Sequence, residues 1–398
     1  MLTPAYLAGI SADVVEVYSQ VEQEIANDIV KRTVRMGYVT PYTQWQLQKA
    51  REFGMFQQDV ARLLESANAT GGNEVKLLLV QAAKDSLAYD DAIYRAAGLT
   101  PVAIAKSPSL QALVLQGTDN TLKLLSNFTH TTSIESYEAF QSILDKTYIK
   151  IMSGAYSPQT AIHAAIKELS QKGIEKIAYQ STGGVHYDNA EVAVRRAVTT
   201  GINQSVAKLQ LARAADMGCE LVEVTSHPTA RPSHAEWQGQ VYSLDHARHD
   251  YPDFYDSTGY GTGEGLCGWN CYHSFYPFFD GLSLRASSPD PAGDMGKDGV
   301  EEYELQQRQR YYERQIRAAK REVTTLNAAM ESTDDDALKA AFKEDFQRAS
   351  VRLKGREAAL QDFLDRTGRT RDWYREQTGG WNRSVSAKAA WANRRAQK

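Results

Sequence analysis

The spacing of apolar residues predicts a mostly helical chain with one short interruption. Val14, Val15, Tyr18, Val21, Ile25, Ile29 and Val30 recur at three- and four-residue steps and predict an amphipathic helix over Ser11–Arg35. Gly37 and Pro41 break that pattern, with Thr40 or Thr43 available as the next cap. The second helix carries Trp45, Leu47, Phe53, Phe56, Val60 and Leu64. Asn68–Asn73, reading Asn-Ala-Thr-Gly-Gly-Asn, is expected to be a loop. A third helix runs over Glu74–Ala97 through Val75, Leu79, Ala82, Leu87 and Tyr94, and ends at Gly98 and Pro101. Further helices are predicted at about 108–126, 133–151 and 158–171. Ser181–Val185 reads as a loop; it lacks the glycine spacing and the lysine of a phosphate-binding P-loop. A long helix follows over Asp188–Asp216, holding Arg195, Arg196, Thr199, Thr200 and Asn203, with Gly218 as a left-handed cap.

The period changes after Gly218. Cys219–Val224 alternates and is rich in β-formers, so it predicts a strand. Pro232 suits the first turn of a short helix that places His234 and Trp237 on one face. Gly239 then leads into a strand at Gln240–Tyr242. Gly261, Gly263 and Gly265 permit a compact turn. Phe275, Tyr276, Phe278 and Phe279 surround Pro277, which predicts an edge segment rather than a central strand. Ala286–Asp298 is a boundary loop. Val300–Met330 is a charged helix with acids leading and bases following. Thr333–Asp336 resembles a capping sequence for a second charged helix that stops at Thr367-Gly368. The expected fold is therefore α+β and predominantly α-helical. Its expected parts are a helical domain at 1–175, a mixed α/β module with a Cys/His motif at 185–285, a charged helical hairpin at 299–367, and a basic flexible tail at 368–398.

Composition narrows the class. With 42% hydrophobic and 24% charged residues the chain reads as soluble and globular, and its length of 398 residues implies more than one core. A net charge of −4 gives no global attraction to nucleic acid or anionic lipid. Three cysteines make no disulfide framework and point to synthesis in a reducing cytosol. No secretory signal is expected at Met1–Val30, and the apolar run Leu77–Val80 is far short of the roughly 20 residues needed to span a bilayer. Charge is concentrated locally. From Arg366 onward there are nine Lys/Arg against two Asp/Glu, interleaved with Trp373, Trp381 and Trp391. Arg383, Lys388, Arg394 and Arg395 are candidate DNA contacts by phosphate neutralisation, the alternative being a solvated tail.

Candidate chemistry is concentrated between Val224 and Leu284, where five of the eight histidines and two of the three cysteines fall. Cys267-x3-Cys271-x-His273, joined by His234 or His227 from upstream, offers nitrogen and sulfur ligands for a structural zinc at Cys267, Cys271, His273 and His234. Only one such knuckle exists, so a tight turn with small buried cysteines and backbone-bonded histidines is the alternative. A catalytic alternative uses His234, Asn270 and His273 in the order of small metal-dependent nucleases. The three-residue gap from Asn270 to His273 is short for that, and no carboxylate cluster supplies a magnesium site. A cysteine nucleophile with His234 as base is a further alternative.

The phrases Ala230–Gly239 and Gly265–Phe278 resemble the phage minor capsid protein 2 family, which is related to MuF-type head-morphogenesis proteins. The motif positions are Arg231, Pro232, Trp237, Gly239, Gly268 and Asn270 within them and His227 just upstream. Thr43–Leu47, the Arg195-Arg196 helix and Gln307–Arg317 extend the resemblance to roughly residues 10–365. At Tyr272 the resemblance implies a basic residue, and this chain departs from it. The resemblance implies a structural protein of the phage head, made in the bacterial host cytoplasm and carried in the virion. It also implies association with the portal vertex and a part in head assembly or DNA delivery. The implied partners are the portal protein and other capsid components, with phage DNA as a candidate partner of the tail and no membrane. The alternative is an enzyme, a nuclease or an effector ejected with the DNA.

Overall fold

The computed structural model describes residues 2–37, 42–174, 177–181 and 184–396. The expected breaker Pro41 and cap Thr40, and Thr182 and Gly183 of the expected loop, lie outside the described residues. The helices are α1 (Pro4–Gly9), α2 (Ala12–Met36), α3 (Tyr42–Ala96), α4 (Pro108–Met152), α5 (Pro158–Lys172), α6 (Ala190–Met217), α7 (Pro232–Ala235), α8 (Phe254–Thr258), α9 (Gly299–Glu331), α10 (Asp336–Thr367) and α11 (Arg383–Ala396). The strands are β1 (Ile177–Ser181), β2 (Gly184–Asp188), β3 (Leu221–Val224), β4 (Val241–Ser243) and β5 (Phe275–Phe278). The expectation of a predominantly helical α+β fold with C-terminal helices holds.

Three local expectations are corrected. Asn68–Asn73 is helical, inside the 55-residue α3. Asn68 is held there by tertiary bonds, accepting from Tyr18 Oη at 2.9 Å and donating to Thr129 Oγ1 at 3.1 Å. At Gly72, a Cβ would come to 3.2 Å from Leu122 Cδ2, so the glycine admits a close neighbour. These contacts outweigh local propensity, which is a weak prior. The helices expected at 108–126 and 133–151 are one helix, α4, within which Thr131 and Thr132 turn their hydroxyls back to the carbonyls of Asn127 and Phe128 instead of capping a new helix. Ser181, Gly184 and Val185 belong to the antiparallel hairpin β1–β2 rather than to a linker. The short α1, capped by Thr3, lies outside the sequence reading.

The chain divides into two compact units, each discontinuous in sequence. One comprises Met1–Val14, Gly71–Ser126 and Val194–Arg308; the other comprises Val15–Thr70, Asn127–Ala193 and Gln309–Lys398. In the first unit, β3 is the centre of a three-stranded antiparallel sheet of order β4-β3-β5. Pro277 pairs opposite Val222 on an edge strand, where its missing N–H costs no inner ladder bond. Val222, Val224, Trp237, Tyr242, Phe254, Leu266 and Phe275 form a buried cluster with Ala207 of α6. Helix α6 ends as expected at Gly218, with φ of 62°. It also runs close to α4, for a Cβ on Gly201 would meet Thr121 Oγ1 at 2.4 Å.

The second unit is stapled by ionic and aromatic contacts between helices. Arg352 pairs with Glu322 at 2.7 Å, and the ring of Tyr312 lies 5.3 Å from that of Phe363. Together they join α9 and α10 as an antiparallel pair, the C-terminal helical hairpin expected from the sequence. Asp335 caps α10 by accepting from the Leu338 N–H, and Gly368 ends it in the left-handed conformation. Residues 368–396, read from charge as part of a flexible tail, hold a 3-10 turn at Trp373–Glu376 and helix α11 instead. Arg371 forks onto Glu376 with two 2.6 Å bonds, and α11 buries Val385, Ala389 and Ala392. Small apolar residues at four- and three-residue spacing make that buried stripe, which charge counting overlooks.

Candidate functional site

The site is built in the first unit from three short segments. Pro232 starts α7 and places His234 inward, with 2% of its surface exposed. Its Nε2 lies 2.8 Å from the carbonyl oxygen of Glu264, and its Nδ1 lies 3.7 Å from Cys271 Sγ. Just before β5, His273 puts Nε2 3.1 Å from Gln238 Oε1 and Nδ1 3.6 Å from the same sulfur. Helix α6 holds this segment from behind, because Asn203 Nδ2 donates to the carbonyls of both Cys271 and His273.

The turn that delivers Cys271 is unusually tight. Cys267 and Asn270 both have positive φ, at 58° and 52°. Around them backbone lies against backbone, and a Cβ at Gly265 would meet the Gly259 carbonyl oxygen at 2.0 Å. Glycine is required there by lack of space. Arg231 Nη2 ties α7 to the turn through the carbonyl of Trp269 at 2.6 Å.

Electrostatically the cluster is neutral. Burial pulls His234 down to about 4, against the Glu264 carbonyl, which favours the protonated ring. Burial, with His234 nearby, lowers His227 to about 4, and burial holds His273 well below the ordinary range. Burial raises Cys271 to about 11 and Cys267 well above its usual value. At neutral pH these groups are uncharged imidazoles and thiols, poor as nucleophiles and able to offer lone pairs. The donor atoms of His234, Cys271 and His273 all lie within 4.8 Å of one another, and all three residues are buried.

The sequence-predicted positions separate clearly. His234, Cys271 and His273 converge. His227 stacks on His273 with ring centroids 4.5 Å apart, and its Nδ1 meets Thr229 Oγ1. Trp237 covers the His234 ring at 4.5 Å. Gly239, with φ of 64°, makes room for the Ser288 carbonyl, and Gly268 for that of Gly263. Cys267 stands apart from the donor group; its thiol donates to the His273 carbonyl at 3.7 Å within the apolar cluster. Asn270 is exposed and donates its backbone N–H to Thr200 Oγ1, whereas His234 and His273 are buried. The catalytic trio therefore does not share one environment. On α11, Arg383 and Arg394 are exposed, Arg395 lies over Trp391 at 4.6 Å, and Lys388 pairs with Glu331 at 2.7 Å.

Two contributors escaped sequence reading. Gln238 sits beside Trp237 and Gly239 but looks like an ordinary polar residue. Asn203 is separated from Cys271 by 68 positions. Its one available signal is a polar side chain between the buried Ile202 and Val206.

Comparison with known proteins gives the family of the chain. The sequence model described as Phage minor capsid protein 2 matches residues 2–365, which include the whole His/Cys site. A protein named "Structural protein" from Lactococcus phage LL-H is 32% identical over 183 residues, covering 45% of this chain and 47% of that protein. Another of the same name, from Lactococcus phage mv4, is 33% identical over 116 residues, covering 29% of this chain and 86% of its own. The chain thus spans about half the length of the LL-H relative. No solved structure matches.

Proposed function

Since the chain belongs to the phage minor capsid protein 2 family, we propose that it is a low-copy structural protein of the phage head, seated at the portal vertex and acting in head assembly or DNA delivery. The observation that carries this reading is the extent of the family match, which takes in the His/Cys site, the first compact unit from residue 2 and the second up to residue 365. The two phage proteins named as structural support it. The burial of His234, Cys271 and His273 favours a structural role for the site, because substrate would have to displace the turn to reach it. The partners on this reading are the portal protein and other capsid components. Among the described residues no helix is long and apolar enough to cross a membrane.

Mass spectrometry and immunogold labelling of purified particles test the proposal. The expected result is a virion protein at a copy number well below that of the major capsid protein, with label at one vertex. Absence from particles overturns it, and label spread evenly over the shell overturns the portal assignment. DNA contact through α11 is part of the same proposal and rests on the exposed Arg383, Arg394 and Arg395. Changing these three to glutamine is expected to weaken binding and flatten its salt dependence. An unchanged salt slope removes the tail from the DNA path.

A further inference from the structure

His234, Cys271 and His273 form a set of donors with too few protons among them. The Glu264 carbonyl can only accept, so His234 donates to it from Nε2 and keeps a lone pair on Nδ1. Gln238 Oε1 is marked as an acceptor by the His227 backbone N–H that it receives at 3.1 Å. His273 Nε2 must therefore donate to it, which leaves a lone pair on His273 Nδ1 as well. Both lone pairs face Cys271 Sγ, at 3.7 and 3.6 Å. The thiol has one proton to give to two acceptors, and all three residues are buried. A buried acceptor without a partner is costly, and a cation removes the deficit at once.

The two sulfur–nitrogen distances match that solution. Zinc bonds sulfur at about 2.3 Å and nitrogen at about 2.0–2.1 Å, so two tetrahedral neighbours of these types stand about 3.5 Å apart. The backing of both rings by carbonyl acceptors on the far nitrogen is also how metal-binding histidines are held. Calcium and magnesium prefer oxygen donors, and the set here is nitrogen and sulfur.

We propose that His234 Nδ1, Cys271 Sγ and His273 Nδ1 hold a zinc ion that locks α7 to the turn before β5. Binding converts the Cys271 thiol to a thiolate and releases one proton to solvent. Cys267 is not a ligand, because its sulfur lies outside the group of converging donors and is directed to the His273 carbonyl at 3.7 Å. Of the four ligands that the sequence motif offers, the fold selects three.

The test uses the full chain. Metal analysis of purified protein is expected to find one zinc per chain. Cobalt exchanged into the site is expected to give a thiolate-to-cobalt charge-transfer band. That band should persist in Cys267→Ser and vanish in Cys271→Ser and His273→Ala, with the helical circular dichroism unchanged. Should the last two variants fail to fold, wild-type protein decides: a chelator is expected to lower Tm by roughly 5 °C, and added zinc to restore it. No zinc, no cobalt band and no chelator effect overturn the site. Loss of the band in Cys267→Ser overturns the ligand set, and an intense copper-thiolate colour in the purified protein overturns the choice of metal.

Discussion

The His/Cys cluster of the first unit and the ionic staples of the second bury polar groups in opposite ways. In the cluster the buried groups are neutral imidazoles, a thiol, amides and carbonyls. Apart from Asn203 on α6, they come from the short stretch His227–His273. In the second unit they are charged, and they join helices as well as near neighbours in sequence. Glu191 at the start of α6 receives Arg321 of α9, 130 positions away, together with the Thr378 hydroxyl. Glu376, itself fully buried, holds Arg371, while Lys320 donates to its backbone carbonyl at 2.9 Å. Neutral directional bonds shape a tight local turn at little desolvation cost. Buried ion pairs cost more to desolvate and are strongly destabilising when one partner is lost, which suits them to fixing which helices meet.

The largest expected effect tests the charged side of this comparison. Glu191→Ala removes the carboxylate that Arg321 donates to and leaves Glu22 as the acid facing that guanidinium, and is expected to cost about 3 kcal/mol. A denaturant midpoint measures it, and a loss below about 1 kcal/mol would mean the pair is solvated and the contrast is lost.

The second prediction concerns a buried acid that the first unit does contain. Asp90 is fully buried, and burial, with repulsion from Asp91, pushes it up to about 7 against the pull of the Gln210 hydrogen bond and of Arg213. In the unfolded chain it ionises near 3.8. Between these values the native state keeps a proton that the unfolded chain has lost, so this contribution to stability falls as pH rises from about 4 to about 7. Asp90→Asn should flatten that slope and leave the variant more stable than wild type at pH 8. Parallel pH–stability curves for the two proteins would disprove it.

Two glycine substitutions sharpen the comparison further. Gly265→Ala drives a methyl into the Gly259 and Thr258 carbonyls and is expected to destabilise by about 1–3 kcal/mol. Gly355→Ala lies in the exposed middle of α10 with nothing within 4 Å of the new Cβ, and should stabilise by about 0.5–1 kcal/mol. The two Tm shifts are expected to have opposite signs. Equal signs would mean that the turn around Cys267 is looser than its contacts require.

How much of this could be read from the chain follows from the range of the forces involved. The helix ending at Gly218, the β3 strand, the short helix opened by Pro232 and the edge strand around Pro277 were all legible, since each depends on neighbours a few residues away. Helix α3 was not legible through Asn68–Asn73, because Tyr18 and Thr129, which hold Asn68, are 50 and 61 positions distant. The order in 368–396 was missed for a similar reason, as charge dominates the composition while three small apolar side chains do the packing.

The sequence alone determined that His234, Cys271 and His273 exist in a glycine-rich frame able to turn sharply, and that helices dominate the rest. Tertiary structure decided the remainder. It set Cys267 aside, fixed both imidazole tautomers through Glu264 and Gln238, and brought Asn203 across 68 residues to hold the segment. Spacing along a chain limits which side chains can meet, but the direction of a lone pair depends on the partner at the ring's other nitrogen, and that partner is supplied by the fold.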